Sequence, residues 1–344
     1  NDEIMVYGDV ASVCSRWTAL RDDPQAVTSA IAEAVGRCER RLQHVRTPLD
    51  CFLLTAGYWP QTNRPYMDVK ISQHAVDELT RWFATVKAGV LKIAAPLGPG
   101  VVAKLKAVTP VIGWSDQNLG SGPSMALILY SDTARAVVDL EAWAMERELS
   151  ETVHVKPRFQ MAAYAINAYY TSAENSVYLP AGLHALLHSI DGMTIGQLGS
   201  IVAHELWHAV DPTSIQYDAL GAPSDLLSPD AAARYAKFVE CIKGADDTLS
   251  EDFADYQAIT TVQQIASTMP KQKIISTTTV DFTAQDIALL SFAMFWCTTD
   301  GPTAFNMSNY HDPHSPPRFR VEHSLEGALD TQFKCDTPAT RCML

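Results

Sequence analysis

The segment IVAHELWHAVD, residues 201–211, carries two histidines four positions apart, with a glutamate directly after the first. Residues four apart lie on one face of an α-helix, so His204 and His208 can present imidazole nitrogens to one metal ion. Glu205 lies one position round the helix, within reach of a water molecule at that ion. The alternative is a buried helix with two hydrogen-bonded histidines. Because the motif is specific when it is helical, we predict a helix that binds zinc.

A catalytic zinc site needs three protein ligands and one open position. The extended motif H-E-x-x-H-x-x-G-x-x-H does not continue here, because Asp211 and Ser214 replace its glycine and its third histidine. A carboxylate from another segment is therefore required. In LSEDFADYQAI (249–259), Glu251 and Asp255 lie one helical turn apart, so one can bind zinc while the other orients a ligand histidine. The alternative is a solvated acidic helix face.

Composition limits the classes of partner that this chain can bind. It has 344 residues, 47% of them apolar, and a formal net charge of −13. Nucleic acids and anionic membranes are recognised by clustered basic groups, and runs of Lys or Arg are absent from the sequence. The longest apolar stretch, Ile287–Cys297, is too short to cross a bilayer. We therefore expect soluble substrates, no nucleic acid and no membrane span.

Cysteine usage bears on the compartment. The seven cysteines are scattered without a C-x-x-C pair, which indicates disulfides plus one cysteine left over. Asn306-Met307-Ser308 is a glycosylation sequon. The first residues, NDEIMVYGDV, lack the pattern of a signal peptide, and we expect a mature or processed N-terminus. These features together predict a secreted, disulfide-bonded glycoprotein.

Periodicity and turn signals predict a mainly helical chain with a small sheet. The predicted helices run from Asp23-Pro24 to about Leu42, through Val76, Leu79, Phe83, Val86 and Val90, from Ala134 to Glu146, and from Ser228-Pro229 to about Gly244. Two further helices are predicted from the capping boxes Thr248-x-x-Glu251 and Thr283-x-x-Asp286, the second ending at Cys297. Gln160–Tyr170 and Ser176–Leu179, around the turn Thr171–Asn175, predict a hairpin, and residues 211–227 and 299–318 predict long loops.

Four motifs follow one another along the chain: INAYYTSAENSVYLPAG (166–182), AHELWHAVD (203–211), SEDFAD (250–255) and DPHSPPRFRV (312–321). With these motifs, and with SFAMFWC and KLKAVTPVIGWSD, the chain resembles the neprilysin family of zinc endopeptidases over roughly residues 65–344. The resemblance implies an α+β fold, mainly α with a small β-sheet, of the thermolysin-like gluzincin type. It implies a catalytic domain at 66–344 and a helical N-terminal segment at 1–65.

The resemblance also assigns roles to individual residues. It makes His204, His208 and Glu251 the ligands of one zinc ion per chain. The catalytic residues that it implies are Glu205 as general base, His314 as oxyanion donor and Asp255, which with Asp211 also orients the zinc histidines. The substrate-binding residues that it implies are Asn167, the Ala168 backbone, Arg320 at a substrate carbonyl, and a pocket of Leu183, Ile201, Val202 and Trp296. The pocket residues are equally compatible with ordinary core, and His314 and Arg320 stand in a polar, Pro-rich segment that would otherwise suit the surface.

Two further expectations follow from the resemblance. Family members carry a large helical lobe over the active site, for which this chain has little room, so the lobe is expected to be missing or to be a separate chain. We hypothesise a more open cleft that admits proteins, and a second chain or second copy as a possible cover. The family pattern pairs Cys241 with Cys342, and it leaves Cys297 and Cys335 to pair among Cys14, Cys38 and Cys51.

The sequence thus predicts a secreted zinc endopeptidase that cuts on the amino side of apolar residues, with Glu205 activating the attacking water. The alternative is a catalytically silent protein or binding subunit that keeps zinc for structure, against which the retained Glu205 argues. A zinc hydrolase that does not act on peptides is disfavoured by the predicted peptide-binding strand at Asn167 and Ala168.

Overall fold

The computed structural model describes residues 71–113, 161, 163–242, 248–270, 282–296, 314–325, 327–328, 342 and 344. The chain divides into two compact units. One comprises Lys70–Trp114, Ala163–Met307 and Asp312–Leu344, and the other Asn1–Val69, Ser115–Ala162 and Ser308–His311. The predicted helices at 23–42 and 134–146 lie outside the described residues, and the predicted division at residues 65 and 66 stays a prediction.

Helix α1, Gln73–Ala94, is the first described element. The Ser72 hydroxyl caps it by accepting a hydrogen bond from the Ala75 amide. Leu79, Phe83, Val86 and Val90 are buried on one face, as their helical spacing predicts. A 3-10 turn, Ala95–Leu97, leads through Gly98 to α2, Pro99–Ala107, in which proline takes the first helical position.

Three short strands form a sheet in the order β1-β3-β2. Strand β1, Thr109–Ile112, runs parallel to β3, Ser176–Leu179, and β2, Tyr169–Thr171, runs antiparallel to β3. The predicted hairpin is confirmed, but the prediction that its first strand begins near Gln160 is wrong. In this register the partner of Asn167 would be Pro180, which has no N–H to donate, so the ladder ends at Tyr169.

The segment after the sheet leads into the helix of the histidine motif. It consists of a 3-10 stretch, Ala181–Leu186, a short helix α3, Asp191–Thr194, and a π turn, Ile195–Gly199. Helix α4, Ser200–Trp207, carries His204 and Glu205, and a 3-10 turn, His208–Val210, follows it. The predicted helix is thus confirmed. The loop predicted at 211–227 contains one further 3-10 turn, Ser214–Gln216.

Four more helices complete the described elements. They are α5, Pro229–Ile242, α6, Leu249–Ser267, α7, Ala284–Phe295, and α8, Pro317–Leu325. Helix α6 packs against α4 in the centre of the core, where the Trp207 indole N–H donates to the Thr261 hydroxyl at 3.0 Å. Cys241 of α5 and Cys342 are joined by a disulfide, as the family pattern implied. The fold is mainly helical with a small mixed sheet, as predicted.

The helix-start predictions had different outcomes. The capping box of Thr283 and Asp286 is present at α7, which ends at Phe295, short of the predicted Cys297. The capping box predicted at Thr248 and Glu251 is wrong. The Thr248 hydroxyl donates to the Asp252 carboxylate, and Glu251 turns toward histidines of the core. The predicted loop to residue 318 is also too long, because α8 begins at Pro317.

None of the helices in the described part of the chain is both long enough and apolar enough to cross a membrane.

Candidate metal and active site

Helix α4 and the 3-10 turn that follows it bring the two histidines of the motif into contact. The Nε2 atoms of His204 and His208 lie 3.0 Å apart, and the two rings stand nearly perpendicular to each other. Both residues come from consecutive turns of one helical face, as the four-residue spacing requires. Both imidazoles therefore direct the same nitrogen to one point.

Glu251 of α6 supplies a carboxylate to that point. Its Oε2 atom lies 3.0 Å from Nε2 of His204 and 3.2 Å from Nε2 of His208. Ligand atoms that surround zinc tetrahedrally at 2.0–2.1 Å are separated by about 3.3 Å. The triangle of two nitrogens and one oxygen, with edges of 3.0–3.2 Å, is close to that size. These three residues fit a zinc ion by both their chemistry and their spacing.

The outward nitrogen of each histidine is held by a carboxylate. Nδ1 of His204 lies 2.8 Å from Oδ1 of Asp255, and Nδ1 of His208 lies 2.9 Å from Oδ2 of Asp211. When Nδ1 donates to a carboxylate, the lone pair of the neutral ring is on Nε2, which is the nitrogen that a metal binds. The structure therefore places Asp211 and Asp255 where the resemblance predicts orienting residues.

Within this cluster, the carboxylates raise the pKa of the two imidazoles, and the imidazoles lower the pKa of Glu251. Burial opposes the charged form of His204, but the carboxylates of Asp255 and Glu251 together raise the pKa of this imidazole. Burial likewise opposes the charging of His208, and hydrogen bonds to Asp211 and Glu251 raise its pKa well above the usual value. Burial would raise the pKa of Glu251, but its contacts with the imidazoles of His204, His208 and His314 hold it far below its usual range. The carboxylate is thus kept ionised, as a metal ligand must be.

His314, three residues before the start of α8, approaches the same carboxylate. Its Nε2 atom lies 3.1 Å from Oε2 of Glu251, and its ring centroid lies 6.0 Å from that of His204. Its side chain is 34% exposed, whereas those of His204 and His208 are 8% and 14% exposed. His204, Glu251 and His314 also form a group with metal-ligand spacing. His208 lies within 3.2 Å of both His204 and Glu251 and is more deeply buried than His314, so we favour it as the third ligand, with His314 beside the site.

Arg320 lies on α8 and is buried, although its Pro-rich surroundings suggested a surface loop. Its Nε atom donates to Oδ2 of Asp255 at 2.5 Å, and its Nη2 atom donates to Oδ1 at 2.7 Å. The guanidinium also lies 3.9 Å from the ring centre of Trp296, in cation–π geometry. The charge of Arg320 therefore acts on Asp255, and through it on His204. Its predicted contact with a substrate carbonyl stays a prediction.

Glu205 is buried in α4, next in sequence to the ligand His204. Its negative charge is one of the influences that raise the pKa of His208. This position suits the predicted general base.

The other residues predicted to bind the substrate differ in how exposed they are. Asn167 is exposed, and its side-chain oxygen Oδ1 accepts a hydrogen bond from the backbone amide of Ala168 at 2.9 Å. Leu183 is completely buried in the hydrophobic core, so it offers no surface to a substrate in this structure. Ile201 and Trp296 are partly exposed. Of the predicted pocket residues, the latter two remain candidates for a pocket wall.

Sequence reasoning missed the turn that fixes Asp211. Oδ1 of this residue accepts hydrogen bonds from the amides of Thr213, at 3.0 Å, and Ser214, at 2.6 Å. The signal was present in the sequence, because Asp-Pro-Thr-Ser is typical of a turn in which the aspartate side chain bonds the backbone two residues onward.

Comparison with known proteins places this chain among metallopeptidases. A sequence profile described as Peptidase family M13 matches residues 167–340. The "Endothelin-converting enzyme homolog" of Locusta migratoria is 27% identical over 201 residues, and "Endothelin-converting enzyme 1" of Mus musculus is 26% identical over 215 residues. These matches cover 52% and 56% of this chain but only 28% of each relative.

Among solved structures, the fold is similar to that of the Mycobacterium tuberculosis zinc metalloprotease ZMP1 in complex with inhibitor. The TM-score is 0.68 at 17% identity, and the match covers 82% of this chain and 47% of the other. At this identity the similarity establishes the fold.

Proposed function

Because this chain belongs to peptidase family M13, we propose that it is a zinc metalloendopeptidase whose active site is built on α4 and α6. One observation carries the proposal: Nε2 of His204, Nε2 of His208 and Oε2 of Glu251 lie within 3.2 Å of one another. The matched curated relatives are much longer than the part that corresponds to this chain, so the activity is proposed for this chain and not transferred from them.

His204, His208 and Glu251 would hold one zinc ion per chain. When bound there, zinc would polarise a substrate carbonyl and lower the pKa of a water molecule. Asp255 and Asp211 keep the two imidazoles in the tautomer that leaves Nε2 available. Glu205 accepts the proton of the attacking water and transfers it to the leaving amine.

His314 is the proposed donor to the oxyanion. Burial opposes the charged form of this imidazole, but the hydrogen bond with Glu251 raises its pKa, which favours a ring with a proton to donate. Arg320 is proposed to act at a substrate carbonyl from its place beside Asp255.

The proposed substrate is an extended peptide cut on the amino side of an apolar residue. Strand β2 pairs with β3 and, among the described residues, has no strand on its other side. A peptide backbone can add to such an edge, which supports binding by Asn167 and Ala168. The partly exposed Ile201 and Trp296 support an apolar pocket.

We also propose that the protein is secreted and that a second chain or a second copy covers its active site. The disulfide of Cys241 and Cys342 supports an oxidising compartment, because structural disulfides are rare in the cytosol. Asn306, the predicted glycosylation site, lies outside the described residues. Light scattering of the purified protein, and digestion of a folded protein beside a peptide, would test whether a second copy covers the site and whether proteins are admitted.

The decisive experiment compares Glu205→Gln with Glu240→Gln, an exposed glutamate on α5. Cleavage of quenched fluorescent peptides with apolar residues at varied positions, together with zinc content, is measured for both variants and the wild type. We expect Glu205→Gln to retain zinc and lose cleavage, and Glu240→Gln to match the wild type. Undiminished cleavage by Glu205→Gln contradicts the mechanism. A wild type that binds zinc but cleaves no peptide supports the silent zinc-binding protein instead.

A further inference from the structure

The turn after the histidine motif determines where Asp211 points. The backbone oxygen of Asp211 accepts from the Ile215 amide at 2.9 Å, and its side chain accepts from two amides of the turn. The same carboxylate holds Nδ1 of His208 at 2.9 Å. Any displacement of this turn therefore displaces the orienting contact of a proposed zinc ligand.

A buried lysine from α2 contacts this turn. Nζ of Lys104 donates to the backbone oxygen of Ser214 at 2.6 Å, across 110 residues of sequence. Lys104 is only 2% exposed and Ser214 is 8% exposed, so the hydrogen bond is shielded from water. The contact ties α2 to the turn that carries Asp211.

Burial of the Lys104 ammonium group makes its charged form unfavourable. Burial lowers the pKa of Lys104, and the negative charges of Asp211 and Asp218 act in the opposite direction. An apolar side chain of similar length would fill this space without the cost of burying an ammonium group. The ammonium is thus placed where both its hydrogen bond and its charge act on the Asp211 turn.

The backbone of Lys104 is held in turn by the hairpin. The Asn175 amide group donates to the Lys104 backbone oxygen at 3.2 Å and accepts from the Tyr170 hydroxyl at 2.9 Å. Asn175 has a φ of 48°, a conformation that asparagine tolerates better than most residues. The backbone of Lys104 is therefore held in place by Asn175, while its side chain contacts the turn.

We propose that Lys104 is a positioning residue of the metal site, which holds the turn at Asp211–Ser214 so that Asp211 keeps His208 aimed at the metal. The inference rests on the proposed function, because it concerns the residues that would bind zinc.

The test compares Lys104→Met with Lys87→Met. Lys87 is a matched control, because its partly buried ammonium also donates to backbone oxygens, those of Lys106 and Val108, and burial also lowers its pKa. The zinc dissociation constant is measured by competition with a chromophoric chelator, and the melting temperature of the metal-free protein is measured alongside. We expect about 10-fold weaker zinc binding for Lys104→Met. We expect a change within about twofold for Lys87→Met, which shares no partner with the site.

A double-mutant cycle with Asp211→Asn separates positioning from general destabilisation. In the Asp211→Asn background, Lys104→Met should change zinc affinity by less than about twofold, because its effect passes through Asp211. If Lys104→Met does not fold, Lys104→Gln takes its place in the cycle under the same criterion. An undiminished effect in the Asp211→Asn background, or equal effects of the two lysine variants, overturns the proposal.

Zinc affinity is measured without a peptide substrate, so the two proposals fail separately. A wild type that binds zinc without cleaving peptides refutes the peptidase and leaves the role of Lys104 standing. A Lys104→Met protein that binds zinc as tightly as an active wild type refutes the role of Lys104 alone.

Discussion

Asp255 holds two partners at once, the His204 imidazole and the Arg320 guanidinium, whereas Asp211 holds one imidazole and two backbone amides. Burial would raise the pKa of Asp255, but the charges of Arg320 and His204 hold it well below its usual value. Asp211 and Asp255 each hold Nδ1 of a proposed zinc ligand, but only the loss of Asp255 would also leave a buried guanidinium without its carboxylate.

Replacing Asp255 with Asn should weaken zinc binding and destabilise the metal-free protein. The orienting contact to His204 is impaired, which typically costs about 10–100-fold in metal affinity. The buried Arg320 also loses its counter-ion, and breaking a buried pair in this way costs about 3–5 kcal/mol. Chelator competition and urea unfolding of the metal-free protein measure the two effects.

Asp211→Asn is the matched control for this prediction. It impairs the contact to His208 but leaves the Arg320–Asp255 pair intact, so zinc affinity should fall by a similar factor while unfolding changes less. Equal losses of unfolding free energy in the two variants would show that the Arg320 pair does not stabilise the fold.

Helix α3 and the π turn, Ile195–Gly199, lead into α4 and pack against α7. A Cβ atom on Gly192 would lie 2.9 Å from the backbone oxygen of Ala284. One on Gly196 would meet the backbone oxygen of Ala288 and lie 2.8 Å from Cβ of Ser291. Glycine at these two positions lets the backbones approach closely enough to fix the start of α4.

Gly196→Ala should destabilise the protein by about 1–3 kcal/mol, because the added methyl group collides with backbone that cannot rotate away. Gly199→Ala is the control, since the nearest neighbours of its methyl group would be side-chain atoms of Ile195 and not backbone atoms. Urea unfolding of both metal-free variants measures the difference. A loss for Gly199→Ala as large as that for Gly196→Ala would contradict the backbone collision as the cause.

Prediction from sequence worked at elements whose signals are local. The Thr283 cap, the hairpin turn and the helix of Val86 and Val90 depend on neighbouring residues, and the structure has them where predicted. The Thr248 capping box failed because Glu251, its second member, finds imidazole partners more than forty residues away in sequence. A local signal is overridden when a distant partner offers stronger hydrogen bonds.

At the scale of the whole molecule, Cys342 is joined to two of the helices, α5 and α6. The disulfide joins Cys342 to Cys241 of α5, across a sequence separation of 101. The Cys342 amide also donates to the Tyr256 hydroxyl of α6 at 2.6 Å. Helix α6, which carries Glu251 and Asp255, is thus joined to Cys342 by a hydrogen bond.

Replacing Cys241 and Cys342 with Ser should lower the free energy of unfolding by about 2–5 kcal/mol, since the unfolded chain gains the freedom of a long loop. Zinc affinity should change little, because neither cysteine contacts the histidine cluster. Urea unfolding and chelator competition on the double variant measure these outcomes, with the oxidised wild type as reference. Unchanged unfolding would mean that the disulfide does not constrain the chain, and a large loss of zinc affinity would mean that it shapes the site.

By itself, the sequence determined that His204 and His208 share one helix face, because a four-residue spacing and the helical period are both properties of local backbone geometry. It also indicated Glu251 as a candidate ligand, but left a solvated acidic face open. Only the tertiary structure decided that α6 turns this carboxylate to the histidines, and that Arg320 and Lys104 stand behind the site. Such contacts depend on how helices pack across long stretches of chain, which no local pattern records.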